Sequence, residues 1–80
     1  MSSQELHAKI LATKSFLNRE LVRNRTQNDE SVLNFREIGV RMDMIHEAER
    51  VGVRNLGETQ SRKLTRMIAD LETQIGISLN

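Results

Sequence analysis

The stretch that decides the fold class is residues 35–45, with the sequence FREIGVRMDMI. Four of its apolar residues recur at intervals of three, four and three: Phe35, Ile38, Met42 and Ile45. This spacing places them on one stripe of an α-helix and is typical of coiled-coil packing. We predict a long helix over residues 29–50, which Thr26 or Asn28 would cap and in whose first turn Asp29 and Glu30 would lie.

Apolar stripes at helical spacing also predict a helix on each side of this one. The first helix is predicted over residues 3–25, after a capping box of Ser2 and Glu5. Its apolar stripe comprises Leu6, Ile10, Leu17 and Leu21. The stripe of the third helix, predicted over residues 58–76, comprises Leu64, Met67, Ile68, Leu71 and Ile75. The chain has no Pro, Trp or Tyr and only two Phe, which argues against a β-sandwich or barrel. The expected fold class is therefore all-α.

The connection between the second and third helices contains Gly52, which we expect to cap the second helix. Val53 and Leu56 are expected to fold back onto the core. Gly39 lies inside the second helix, where glycine costs about 1 kcal/mol relative to alanine. We expect it to allow close packing against a neighbouring helix.

Chain length and charge favour one three-helix bundle. Eighty residues make a single domain, residues 1–80, which has no cysteine to form disulfides. Charge alternates along the sequence: residues 9–25 and 50–66 are basic, and residues 26–49 are acidic. We therefore predict an up-down-up bundle with two long helices in coiled-coil-like packing that self-associates. Arg62, Lys63 and Arg66 are expected to pair with Glu47 and Glu49 across the second hairpin.

A second apolar stripe runs along each of the two long helices. On the first helix it contains Ala8, Leu11, Ser15 and Val22, and on the second Leu33, Val40, Met44 and Val51. Either wide helix faces bury these residues in a compact monomer, or the stripes form a homo-oligomer or a groove for a partner helix. The candidate interface residues are Leu11, Val22, Leu33, Val40 and Met44.

Motifs that would indicate catalysis or a cofactor are absent from the sequence. There is no nucleotide-binding glycine loop, no Gly-x-Ser-x-Gly and no paired-cysteine motif. His46 and Glu47 begin like a zinc-protease helix, but Arg50 occupies the position of the second histidine. We therefore expect no enzyme activity, no metal and no cofactor. No apolar run is long enough to span a membrane, and we expect a soluble, cytoplasmic protein.

A cluster of basic residues surrounds the second connection and is a candidate site for an anion or nucleic acid: Arg50, Arg54, Arg62, Lys63 and Arg66. Residues 35–42 loosely resemble the first helix of a helix-turn-helix motif, although Asp43 stands where its turn glycine is usual. The competing interpretation is that these cations pair with the second helix. The net charge of +1 is low for a nucleic-acid-binding protein.

These observations favour a small non-catalytic protein-interaction module, that is, a regulator, inhibitor, adaptor or assembly factor acting through apolar helix faces. Its expected partner is another protein, itself, or both. The alternative is a nucleic-acid-binding regulator that uses the patch from Arg50 to Arg66.

Overall fold

The computed structural model describes residues 2–26 and 31–80. Within those ranges the chain forms three α-helices and one short 3-10 turn, and it contains no β-strand. The helices are α1 (Ser3–Arg25), α2 (Phe35–Val51) and α3 (Glu58–Ile75), and the 3-10 turn (Val53–Asn55) lies between α2 and α3. The all-helical fold class predicted from the sequence is confirmed.

The bounds of α1 agree with the prediction. Ser2 is the N-cap, and its Oγ accepts a hydrogen bond from the backbone N–H of Glu5 at 3.2 Å. The helix ends at Arg25, and the N–H of Thr26 donates to the carbonyl of Val22 at 3.0 Å. Thr26 therefore closes α1 instead of capping the second helix.

Helix α2 begins at Phe35, later than the predicted start at residue 29. Asn34 is its N-cap: the Asn34 side chain accepts from the N–H of Glu37 at 2.9 Å, and Glu37 accepts from the N–H of Asn34 at 3.1 Å. This reciprocal capping box satisfies two backbone donors at once. Residues 31–34 are non-helical, and the predicted roles of Asn28, Asp29 and Glu30 lie outside the described residues.

The core lies where all three α-helices meet, because each helix contacts the other two. Its buried apolar side chains are Leu6, Ile10, Phe16, Leu17, Leu33, Ile38, Ile45, Ala48, Leu64, Ile68, Leu71 and Leu79. Val53 and Leu56 pack against this core, as expected for a connection that folds back. Phe35, predicted in the core stripe, is instead 54% exposed and is the first residue of α2.

Two glycines terminate helices through a positive φ angle. Gly52 follows α2 with φ 92° and Gly76 follows α3 with φ 75°, a region that favours glycine because it has no Cβ. The expectation of close packing at Gly39 is wrong: a Cβ added there would meet no atom within 4 Å. Gly39 is an exposed position in the second turn of α2.

The ion pair that links α1 to α2 joins Lys14 to Glu49, with the Lys14 Nζ 3.1 Å from both carboxylate oxygens. Glu47 pairs with Arg50 within α2. The predicted pairing of these two glutamates with the basic residues of α3 is therefore not what the structure shows. Each glutamate already has a cation nearer to it, on its own helix or on α1.

Candidate protein-interaction surfaces

The outward face of α1 carries two exposed apolar side chains. Leu11 is 50% exposed and Val22 is 58% exposed, and both lie on the side of the helix away from the core. They line a shallow depression together with polar and basic side chains of the same helix: Lys14, Ser15, Asn18, Arg19 and Arg23. We call this surface the α1 outer face.

A second apolar surface lies in the cleft between α2 and α3, which we call the α2–α3 groove. Its floor contains Val40, which is 55% exposed, and the half-buried methionines Met44 and Met67. The charged residues around the floor are Arg41, Asp43, Glu47, Lys63, Arg66 and Asp70. An apolar floor within a charged rim is the usual anatomy of a protein-binding surface.

The two ends of this groove are lined by different residues of α2 and α3. Val40 shares one end of the groove with Arg66 and Asp70, whereas Glu47 shares the other end with Gln60. Met44 and Lys63 line both parts and therefore lie near the middle.

Leu33 does not belong to either surface. It was predicted on the second stripe of helix 2, but it precedes α2 and only 2% of it is exposed. It occupies the position before the N-cap, and Ile38, also buried, lies in the first turns of α2. Apolar residues at these two positions commonly pack together and fix the entry of a helix. Leu33 is therefore a core residue, whereas Leu11, Val22 and Val40 are exposed.

Glu20 is a buried carboxylate that the sequence analysis did not single out. Its side chain is fully buried, and its Oε1 accepts hydrogen bonds from the backbone N–H groups of Val32 at 2.6 Å and Leu33 at 2.8 Å. Its Oε2 lies 3.2 Å from the guanidinium of Arg23. Glu20 thus anchors the segment that enters α2 to the side of α1.

Three of the five predicted basic residues are neighbours on α3, because Arg62 and Arg66 line one depression and Lys63 and Arg66 line another. Arg50 pairs with Glu47 and Arg62 pairs with Glu58, each within its own helix. Hydrogen bonding and charge attraction between Arg50 and Glu47 raise the pKa of the arginine and lower that of the glutamate.

The three remaining basic residues lie in two places. Arg54 lies on the 3-10 turn beside the first turn of α1. Lys63 and Arg66 line the α2–α3 groove, and neither forms an ion pair with any described residue.

The segment after α3 is fixed to α3 through Glu72 and to α1 through Lys9. Glu72 Oε2 accepts from Lys9 Nζ and from the backbone N–H of Leu79, both at 2.8 Å. The hydrogen bond from Lys9, followed by the one from Leu79, lowers the pKa of Glu72. Leu79 is thereby held in the core with 4% of its surface exposed.

Comparisons with models of known protein families, with curated proteins and with solved structures found no match. No helix in the described part of the chain is long and apolar enough to cross a membrane. Among residues 2–26 and 31–80, no three His, Asp or Glu side chains are grouped closely enough to hold a metal ion.

Proposed function

We propose that this protein is a small non-catalytic protein-interaction module that acts through apolar helix faces. The observation that carries the proposal is the exposure of Val40 beside Met44 and Met67 in a groove rimmed by charged residues. Methionine side chains adapt their shape to a partner and are frequent at binding surfaces. The exposed Leu11 and Val22 offer a second contact face on α1.

The architecture that we propose for this module is an up-down-up bundle with coiled-coil-like packing. Two contacts and the lining of the groove support it. Lys14 pairs with Glu49 and Glu20 contacts Leu33, as expected if α1 and α2 have opposite directions. In the groove, Val40 lies with Asp70 and Glu47 lies with Gln60, as expected if α2 and α3 also have opposite directions. We further propose that the chain self-associates and acts in the cytoplasm.

Site-specific photocrosslinking in cells tests the proposed function. A photoreactive residue replaces Val40 or Leu11 in the proposed faces, and the exposed Ser78 in the segment after α3 provides the control position. We expect discrete adducts from Val40 or Leu11, with the protein itself or with another protein, and none from Ser78. Adducts that are absent from both face positions, or equally abundant at Ser78, contradict the proposal.

Nucleic-acid binding is the second candidate function, and the unpaired state of Lys63 and Arg66 among the described residues is the observation in its favour. A phosphate backbone would supply the missing anions, and binding would then fall steeply with salt. The test is binding to duplex and single-stranded DNA and RNA at low salt. Binding that is lost in the Arg62→Ala, Arg66→Ala double variant supports this candidate, and its absence from every probe excludes it.

A further inference from the structure

Among the described residues, cations outnumber carboxylates at the end of the α2–α3 groove near Val40. Arg41 and Arg66 line this end together with one carboxylate, Asp70, and Lys63 lies between it and the other end, where Asp43 and Glu47 are found. None of the three cations forms an ion pair with a described residue. An occupant of this end of the groove should therefore carry negative charge next to an apolar contact surface.

The exposed side of α2 is itself a surface of that kind. Asp43 and Glu47 are one helical turn apart and are both exposed, so their carboxylates lie on the same side of the helix. Val40 and Met44 lie on the same side, one turn apart and adjacent to these carboxylates. Helix α2 thus presents an apolar strip with two carboxylates: Asp43 forms no ion pair with a described residue, and Glu47 already pairs with Arg50 of the same helix.

We propose that the α2–α3 groove binds α2 of a second copy of this chain, with a two-fold axis beside Met44. This inference rests on the proposed function and names the partner of one of its faces. The two α2 helices would be antiparallel. The residues one turn after Met44 in one copy would then face the residues one turn before Met44 in the other copy. Glu47 of each copy would then face Arg66 of the other, and Asp43 would face Lys63.

The register follows from which residues share each part of the groove. Arg66 lies at the level of Val40, and Lys63 lies at the level of Met44. In an antiparallel pair centred on Met44, the level of Val40 in one copy matches the level of Glu47 in the other. The two-fold axis therefore creates every favourable charge contact twice, as expected for an interface in which both copies use the same patch.

Arg41 supplies an independent reason to expect a further acceptor in this region. Its Nη1 donates to the carbonyl of Glu37 at 3.1 Å, but its Nε is shielded from solvent and has no hydrogen-bond partner among the described residues. Such an unpartnered buried donor is costly. A carboxylate of the second copy, brought to the groove by α2, would provide the acceptor after a small movement of the side chain.

Charge reversal at one predicted pair gives a sharp test by sedimentation equilibrium. The full chain is expected to form a dimer that weakens as salt is raised, because exposed ion pairs are screened. Arg66→Glu or Glu47→Arg alone places like charges together twice in the dimer. Each is expected to raise the dissociation constant by about 100-fold or more.

Mixing the two single variants restores the charge match. A pair formed by one Arg66→Glu chain and one Glu47→Arg chain has opposite charges at both contacts, so we expect a heterodimer from two monomeric proteins. The doubly substituted chain should form a homodimer again for the same reason. Arg54→Glu, an equal change of charge on the exposed 3-10 turn, is the control and should leave the dissociation constant unchanged.

Circular dichroism of each variant checks that the helices are retained. If either variant fails to fold, Lys63→Asp and Asp43→Lys provide a second pair of charge-reversal variants. A wild-type chain that stays monomeric at millimolar concentration overturns the inference, as does a mixture of single variants that does not associate. A crosslink from Val40 to a different protein would overturn it too, while leaving the proposed interaction function supported. Absence of any crosslink would instead count against the proposed function itself.

Discussion

The Oε1 atom of Glu20 lies 2.8 Å from the backbone nitrogen of Leu33, thirteen residues later in the chain. The same oxygen accepts from the N–H of Val32, so one carboxylate satisfies two peptide groups just before α2. Asn24 adds a hydrogen bond from its Nδ2 to the carbonyl of Leu33 at 2.6 Å. Side chains of α1 therefore provide the hydrogen-bond partners that this non-helical segment does not find in its own backbone.

Replacement of Glu20 by alanine should be one of the most damaging substitutions on α1. It leaves two backbone donors without partners, one of them on the buried Leu33, and we expect a loss of roughly 3 kcal/mol in the free energy of unfolding. Glu20→Gln retains an acceptor oxygen at the same position and should cost clearly less. Urea titration followed by circular dichroism measures both. Equal losses in the two variants would show that the hydrogen bonds to Val32 and Leu33 contribute little.

The two phenylalanines should differ sharply in their contribution to stability. Phe16 is 6% exposed within the core, and its replacement by alanine removes a large buried side chain, at an expected cost of about 3–5 kcal/mol. Phe35 is 54% exposed, and Phe35→Ala should change the free energy of unfolding by less than about 1 kcal/mol. Thermal and urea unfolding of both variants compare them directly. A large loss at Phe35 would show that it is covered in solution.

Leu79 and Ile77 form a matched pair in the segment after α3. Leu79 is 4% exposed and Ile77 is 57% exposed, although only one residue separates them. We expect Leu79→Ala to lower the free energy of unfolding by about 2–3 kcal/mol and Ile77→Ala to have an effect of less than about 0.5 kcal/mol. If both substitutions are neutral in chemical denaturation, the packing of Leu79 against the core makes no net contribution.

Because Glu72 contacts Lys9 and Leu79, the free energy of unfolding should depend on pH. Because the folded-state pKa of Glu72 is below its unfolded value, its contribution is present above the unfolded pKa and is lost as pH falls through the folded one. We expect Glu72→Gln to be less stable than the wild type near neutral pH. That difference should shrink as pH falls from about 6 to about 3. A difference that stays constant over this range would contradict a role for the ionised carboxylate.

Gly39→Ala should stabilise the protein, in contrast to the same change at Gly52. An added Cβ at Gly39 meets nothing within 4 Å, and alanine is better than glycine inside a helix by about 1 kcal/mol. At Gly52 the φ angle is 92° and a Cβ would lie 3.2 Å from the Asn55 side chain, so Gly52→Ala should destabilise. Differential scanning calorimetry distinguishes the two signs. Destabilisation at Gly39 would indicate a neighbour that packs against it in solution.

The spacing of apolar residues correctly predicted three α-helices, but it did not predict where α2 begins. Asp29 and Glu30 suggested a helix N-terminus through favourable charge, whereas Asn34 and Glu37 form the capping box that sets it. The pattern Asn-x-x-Glu before Ile38 was visible in the sequence and is the more specific signal. Because α2 starts late, Leu33 precedes the helix and is buried in the core, and it does not lie on the second stripe of the helix as a candidate interface residue.

The candidate surfaces were only partly predictable, because local patterns do not specify which charges meet across the fold. The sequence identified Leu11, Val22, Val40 and Met44 as apolar residues outside the main stripes, and three of them are half-exposed or more. It did not identify Glu20 as an anchor, since a carboxylate on a helix is ordinarily solvated. It also predicted that Glu49 pairs with α3, whereas Glu49 pairs with Lys14 of α1. The alternation of basic and acidic segments along the sequence does not specify which of several cations a given carboxylate contacts.

The hydrogen bond from Lys9 to the carbonyl of Leu79 joins residues 70 positions apart. Closing so long a loop costs more chain entropy than forming either helical hairpin, so this contact should form late in folding. We therefore expect the segment from Gly76 to Asn80 to detach before the three helices separate. Its amides should exchange with solvent through this partial opening, whereas that of Leu17, fully buried in α1, should exchange through unfolding of the whole bundle.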